Sequence, residues 1–310
     1  MTETPHISII LPTYNRANML VEAIESVRAQ TFSNFELIIV DNGSADDTCQ
    51  RVDQIKDERI VFITIKHANV SAARNIAVAK AKGKYIAFLD DDDLWLPKKL
   101  EKFYDLFQKY PETIFAYSSW YYRDGQKDIF LEATAEGDIR HYLLLFGRIG
   151  TPSVMLPRTR FIQIGAFDET MTIGEDTDLW CRLSTLGEIR AIKDPLTIVR
   201  KHSGNTIIPP DLFAKNRLKT IQKIFQLYNI SDLKSQNYYE AQVYFEASLL
   251  HKQWGNLFTA RKKAFTAIWK APINSPLSKR DWLRKVVEVV LGIPLTNWIL
   301  QKRSDLNQRE

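Results

Sequence analysis

Over the first ninety residues, short apolar runs alternate with helix-length segments, and this alternation limits the possible folds more than any other feature of the chain. Ile7 to Leu11 and Phe35 to Val40 are compact and nearly all apolar, as in strands covered on both faces. Between them, Leu20, Ala23, Ile24 and Val27 recur at helical spacing. After the turn Asp41-Asn42-Gly43, Ser44 with Asp47 three residues later reads as a capping-box-like start for the next helix. Ile60 to Ile65 reads as a third strand, Ser71 to Ala81 as a helix ended by Gly83, and Tyr85 to Leu89 as a fourth strand. A βαβαβαβ order of this kind implies a parallel sheet with helices on both faces and right-handed crossovers.

Open sheets of this type bind ligands outside the carboxyl ends of their strands. Three polar clusters fall there: Pro12, Thr13, Tyr14 and Asn15 after the first strand, Asp41 and Asn42 after the second, and Asp90, Asp91, Asp92 and Asp93 after the fourth. Four adjacent carboxylates repel one another unless a cation joins them, and hard oxygen ligands suit Mg²⁺ or Mn²⁺. A divalent ion holding a phosphate-bearing substrate is the economical reading, and a solvated acidic loop the plain one. Tyr14 offers an aromatic face to a base and Asp41 an acceptor for a base N–H, although either residue alone reads equally well as part of a turn.

Further along, Pro97 suits the first turn of a helix running to about Tyr110. Ile114 to Ser119 and Ser153 to Leu156 look like strands, separated by a polar, Gly-containing stretch around Arg123 to Gly137. Glu175 and Asp176 open a helix striped by Leu179, Leu183 and Leu186, a position the helix dipole favours for acids. Beyond Pro209 and Pro210 the chain turns helical and aromatic. The expected division is a domain over 1–205 and a helical extension over 206–310.

Charge is unevenly placed. From His251 to Glu310 twelve Lys or Arg face four acids, a balance of +8, so the net +5 leaves −3 for the rest. A basic tail points to an anionic surface there and away from a nucleic-acid footprint over the whole chain. Cys49 and Cys181 have no metal-ligand or redox spacing, which argues for a reducing compartment. With no 18-residue apolar run and no leader pattern at the N-terminus, a cytoplasmic protein is expected.

Pro-Thr-Tyr-Asn (12–15), Phe-Glu-Leu-Ile-Ile-Val-Asp-Asn-Gly-Ser (35–44), Ser-Ala-Ala-Arg-Asn (71–75), Ala-Lys-Gly-Lys-Tyr-Ile-Ala-Phe-Leu-Asp-Asp-Asp-Asp (81–93) and Gly-Glu-Asp (174–176), in this order and spacing, resemble family 2 glycosyltransferases. The resemblance spans roughly residues 6 to 205. It implies an α/β glycosyltransferase-A fold (Rossmann-like, with a mainly parallel central sheet), to which this chain adds its C-terminal helical region. It also implies a nucleotide-sugar donor, with UDP the default, a Mn²⁺ or Mg²⁺ ion, and inversion at the anomeric carbon. Carried over residue by residue, Asp92 is the direct metal ligand, Asp90 completes the family's Asp-x-Asp, and Asp91 faces donor hydroxyls. Asp93 is expected to cap the loop. Pro12, Thr13, Tyr14, Asn15 and Asp41 bind the donor, Tyr14 and Asp41 at its base, with Arg74 near the base or phosphates and Asn69 a weaker candidate. Asp176 is the base that takes the acceptor proton, and Glu175 orients the acceptor. His202, in Val-Arg-Lys-His-Ser-Gly-Asn, closes over the diphosphate and can touch the metal; the other four histidines have no motif. The Gln-x-x-Arg-Trp motif of processive members is absent, which favours addition of one sugar in surface polysaccharide or glycolipid assembly.

Two rivals remain. A sugar-phosphate nucleotidyltransferase would carry a Gly-rich basic loop after the first strand, where this chain has Pro-Thr-Tyr-Asn-Arg-Ala-Asn. A catalytically dead nucleotide-sugar-binding scaffold would have little use for both acidic motifs. The tail from Asp281 to Leu300 puts Trp282, Leu283, Val286, Val287, Val290 and Leu291 on one helical face, with Pro294 breaking the run. It reads as an interfacial anchor to anionic lipids at the inner face of the plasma membrane, or equally as packing on the catalytic domain or an oligomer contact. With an anchor there, the glycan acceptor would be lipid-linked.

Overall fold

The computed structural model describes residues 4–145, 149–171, 173–204, 209–227 and 233–270. The chain divides into two compact units, Met1–Thr206 and Ile207–Glu310. The reading of Asp281 to Leu300 as an amphipathic helix lies outside the described residues.

The first unit opens with β1 (Ile7–Thr13), α1 (Ala17–Arg28), β2 (Phe35–Asp41), α2 (Thr48–Asp53), β3 (Ile60–Thr64), α3 (Val70–Lys80) and β4 (Tyr85–Phe88). These four strands lie parallel in the order β3-β2-β1-β4. All seven residues of β1 and of β2 are buried, which is why neither strand alternates in sequence. Leu20, Ala23, Ile24 and Val27 of α1 are fully buried against this sheet with Leu100, Phe103 and Phe107. The chain moves one way from β1 to β2 and β3, then returns to the other side of β1 with β4. The crevice of a doubly wound sheet therefore opens between the carboxyl ends of β1 and β4.

Next come β5 (Leu94–Trp95), α4 (Lys99–Lys109), β6 (Phe115–Asp124), β7 (Lys127–Leu131), α5 (Arg140–Leu145), a 3₁₀ turn at Thr151–Ser153, β8 (Val154–Pro157), α6 (Arg158–Gln163), α7 (Glu175–Leu183) and β9 (Ile189–Lys201). They extend the sheet as β4-β8-β6-β9-β5, with β7 on β6, giving nine strands among the described residues. β8 is antiparallel to both β4 and β6, and β9 runs parallel to β6 and antiparallel to β5.

Three local expectations change. α2 starts at Thr48, not Ser44, because Asp46 Oδ1 accepts the Thr48 N–H at 3.1 Å while Ser44 is drawn to the strand rim. α3 ends at Lys80, and Gly83 serves another purpose: a Cβ there would lie 2.5 Å from the Ser8 nitrogen of β1, so only glycine permits the approach. The polar stretch around Arg123 to Gly137 is in part a hairpin. Asp124 pairs with Lys127, and Gly125 at φ +61° makes the two-residue turn of the β6–β7 hairpin.

In the second unit the described elements are α8 (Pro210–Leu227), α9 (Leu233–Gln253) and α10 (Leu257–Lys270). Ala241 and Phe245 of α9 pack on Ala260, Ala264 and Ala267 of α10 in a small core.

Candidate active site

The carboxyl end of β1 is bound to the loop after β4 through one side chain. Asp91, 4% exposed, accepts the Thr13 hydroxyl at 2.8 Å and the Tyr14 N–H at 3.3 Å on Oδ2. Its Oδ1 accepts from Arg16 Nη1 at 2.8 Å. Both oxygens are thus engaged by the protein, and Asp91 is a clamp across the crevice. Asn15, at φ +51°, joins the rims of β1 and β2: its N–H donates to Ser44 Oγ at 2.8 Å and its Oδ1 accepts from the Ala45 N–H at 2.7 Å. Pro12 is buried inside β1, in register with Val40.

On the outer side of that rim, Asp41 Oδ1 takes the Ser44 N–H at 3.0 Å. Asn42 grips the backbone of Ala68 through both ends of its amide, at 2.7 and 2.8 Å, fixing the loop after β3. That loop presents His67, whose ring lies 4.6 Å from the ring of Tyr14, tilted 45°, with Nδ1 3.2 Å from the Asn42 carbonyl. Tyr14 is 44% exposed, so an aromatic face stands open beside the buried carboxylate of Asp41. Asn69 caps α3 by accepting the Ala72 N–H and donates to the Glu169 carbonyl.

Arg74 is the centre of the second network. Buried on α3, it donates from Nη2 to Asp90 Oδ1 at 2.6 Å and from Nη1 to Glu175 Oε1 at 3.0 Å, and it lies over the Phe167 ring. Burial works against its charge, but the carboxylates of Asp90, Glu175 and Asp176 outweigh that and hold the guanidinium protonated. The helix bearing Glu175 and Asp176 is seated from below. Trp180 of α7 packs on Phe88, Phe115 and Phe167 and donates to the Ile149 carbonyl, while Arg182 pairs with Asp178 and donates to the carbonyls of Ile164 and Ala166. Phe88 is the residue that ends β4, so one aromatic cluster sets both acidic motifs. Asp176 Oδ1 accepts the Thr177 N–H at 2.6 Å. Desolvation by the surrounding protein, and then the charge of Glu175, push its carboxyl up to about 7.

β9 completes the site. Arg200 donates from its backbone N–H to Asp93 Oδ1 at 3.0 Å, from Nε to the Asp92 carbonyl, and from Nη1 to Glu22. His202 Nε2 lies 3.0 Å from Asp92 Oδ2, which also takes Arg16 Nη1 at 2.9 Å. Burial raises the carboxyls of Asp90 and Asp91, and raises that of Asp93 furthest, with Asp90 and Asp92 adding to the shift. Six carboxyl groups, Asp90 to Asp93 with Glu175 and Asp176, thus gather at one place, where the guanidiniums of Arg16 and Arg74 pair with Asp90, Asp91, Asp92 and Glu175.

That imbalance favours a further cation, and the donor atoms present fit one in part. Among the described residues no three His, Cys, Asp or Glu side chains form a set that could hold a metal alone. Asp92 and His202 offer one carboxylate and one imidazole, a partial shell of the kind that substrate phosphates complete. His202 Nδ1 accepts the Gly204 N–H at 3.1 Å.

The sequence reading had not singled out Arg16, Arg200 or His67. Arg16 directly follows the Pro-Thr-Tyr-Asn segment, and Arg200 stands two residues before His202, so the need to balance four aspartates was the signal that could have found both. His67 had none.

The model of the glycosyl transferase family 2 matches residues 8–169. A Rickettsia felis protein described as an uncharacterized glycosyltransferase is 36% identical over 214 residues, 67% of this chain; the chain spans only about a third of that relative, 35% of its length. The Escherichia coli UDP-Glc:alpha-D-GlcNAc-diphosphoundecaprenol beta-1,3-glucosyltransferase WfaP is 34% identical over 207 residues, 64% of this chain and 78% of the relative. Among solved structures, Staphylococcus aureus TarS 1-349 in complex with UDP-GlcNAc superposes with a TM-score of 0.63 at 16% identity, over 94% of this chain and 91% of that one. The α/β unit, with its curled and mainly parallel sheet, has the glycosyltransferase-A fold. By the match to its family model and by the identity to its curated relatives, this chain belongs to glycosyl transferase family 2.

Proposed function

We propose that this glycosyltransferase moves a single sugar from a UDP-sugar to a hydroxyl of a lipid-linked glycan acceptor, with inversion at the anomeric carbon. The observation that carries the reading is the Asp90–Arg74–Glu175 bridge: one buried guanidinium holds the acidic loop of β4 against the acidic start of α7. Donor-side and acceptor-side carboxyls are thereby kept at a fixed separation, as a one-step displacement needs. Residues 1–205 carry the chemistry, and 206–310 form the extension.

Tyr14 and Asp41 receive the base, Tyr14 by its exposed face and Asp41 by the oxygen left free of Ser44. Asp176 takes the proton from the acceptor hydroxyl as that oxygen bonds to the anomeric carbon. The bond from that carbon to the phosphate oxygen breaks, and the nucleoside diphosphate leaves with the electron pair. Glu175 orients the acceptor and keeps Asp176 basic. Asp92 and His202 would hold Mn²⁺ or Mg²⁺, which when bound offsets the charge growing on the leaving diphosphate. Arg16 and Arg200 keep the acidic loop in place. The acceptor assignment draws on the diphosphoundecaprenol named for the Escherichia coli relative, and it puts the enzyme's work at the inner face of a membrane. Release of UDP from UDP-glucose and UDP-N-acetylglucosamine, measured with a diphosphoundecaprenol-linked sugar and Mn²⁺, tests it. Acceptor-stimulated release that is lost in Asp176→Asn supports the reading, whereas release indifferent to acceptor and to this substitution overturns it.

A further inference from the structure

α10 is built inside out. Its Ala260, Ala264 and Ala267 are fully buried against α9, while its largest apolar side chains face outward: Phe258, Phe265 and Trp269 are 81%, 59% and 85% exposed. Spacings of seven and four residues put these three rings on one stripe, about 16 Å long at 1.5 Å per residue. Trp254 and Leu257, at 52% and 49% exposure, continue the exposed apolar surface at the start of the helix. A helix whose only task was to close a bundle would bury its aromatic residues and expose its alanines, because each aromatic ring carries far more apolar area.

The charges say what the stripe meets. Arg261 and Lys262, both exposed, border the rings on either side, and α10 contains no Asp or Glu. Lys263 and Lys270, on the inner side, are matched within the unit by Asp211 and Glu240 at 2.6 and 2.5 Å. The exposed side of the helix thus carries the three rings together with two basic residues. A second copy docked on it through a twofold contact would set like charges against each other. Among the described residues no helix is long and apolar enough to cross a membrane, and an aromatic, basic helix face suits the plane of a bilayer interface.

We propose that the outward face of α10 docks on an anionic lipid bilayer, with Phe258, Phe265 and Trp269 entering the interfacial region and Arg261 and Lys262 meeting the headgroups. The inference deepens the reading of a lipid-linked acceptor, but it is tested without donor or acceptor, so it fails or stands apart from the chemistry. The full chain is sedimented with phosphatidylglycerol-containing vesicles and with pure phosphatidylcholine vesicles, at low and high salt. Wild type is expected to bind the anionic vesicles and to weaken with salt. A combined Phe258→Ser, Phe265→Ser, Trp269→Ser variant should lose at least ~10-fold in partition, and Arg261→Glu with Lys262→Glu a similar factor. Both variants must keep the wild-type melting temperature, which their exposed positions favour. The proposal is overturned by a serine variant that binds like wild type, which would place any anchor elsewhere in the chain. It is equally overturned by wild type with no preference for anionic lipid, or by a wild-type dimer that the serine substitutions dissociate with vesicle binding unchanged.

Discussion

Asp176 shows how a single carboxyl is made basic and what that costs the fold. Held up to about 7, it is protonated in acid and unable to accept a proton, so turnover should rise with pH through about 7. The stability consequence has the opposite sense. An unfolded aspartate loses its proton near 3.8, whereas the folded one keeps it until about 7, so the stability it confers is full below pH 4 and declines between pH 4 and 7. Asp176→Asn should therefore lower turnover by at least ~10²-fold, leave UDP binding intact, and melt higher than wild type above pH 7. Turnover and UDP affinity falling in proportion would instead put Asp176 in the donor pocket.

Elements fix the site through close approaches more than through their own composition. Gly83→Ala would drive a methyl group into the Ser8 nitrogen, and overpacking of this sort costs about 1–3 kcal/mol, read as a lowered denaturant midpoint. Lys99, which opens α4, is a different case. It is fully buried, donates to Thr197 Oγ1 at 3.3 Å and lies over the rings of Trp95 and Phe103, and burial drives its amine well below 10.5. The unfolded chain binds the proton more tightly, so this lysine makes the fold gain stability as pH rises toward 10. Lys99→Met should flatten that gain, as measured by denaturation at pH 7 and pH 9.5. Where the chain is covered on both faces or striped at helical period, as in β1, β2 and α1, its elements were legible in the sequence. The β6–β7 hairpin was not, because its exposed strand residues resemble a loop and only Asp124-Gly125 marked the turn. The acidic residues were legible by their order and spacing. Arg16, Arg200 and His67 were not, because they act through partners 25 to 188 positions away in sequence.

For the molecule as a whole, the excess of carboxyl groups at the sheet crevice predicts linked binding of cation and donor. Neither Asp92 nor His202 can complete a metal shell alone, so Mn²⁺ should raise the melting temperature little without UDP and much more with it. A ligand at 100 times its dissociation constant adds about 2.7 kcal/mol. A rise with UDP that is unaffected by chelation would remove the metal from the proposed function.

The antiparallel pairing of β5 with β9 also governs when the enzyme can become active during its synthesis. Leu94 and Trp95, directly after the aspartates, bond to Ile198 and Thr197, and Asp92 and Asp93 are held by Arg200 and His202, more than a hundred positions later. On a ribosome, the parallel half of the sheet emerges early with Thr13, Arg16 and Arg74 to hold Asp90 and Asp91, but Asp93 and the His202 side of Asp92 stay untied until about residue 200 has left the exit tunnel. Contacts of such long range also form late when a full-length chain refolds. A chain cut short before β9 thus keeps the clamp on Asp91 and lacks the contacts that finish the acidic loop.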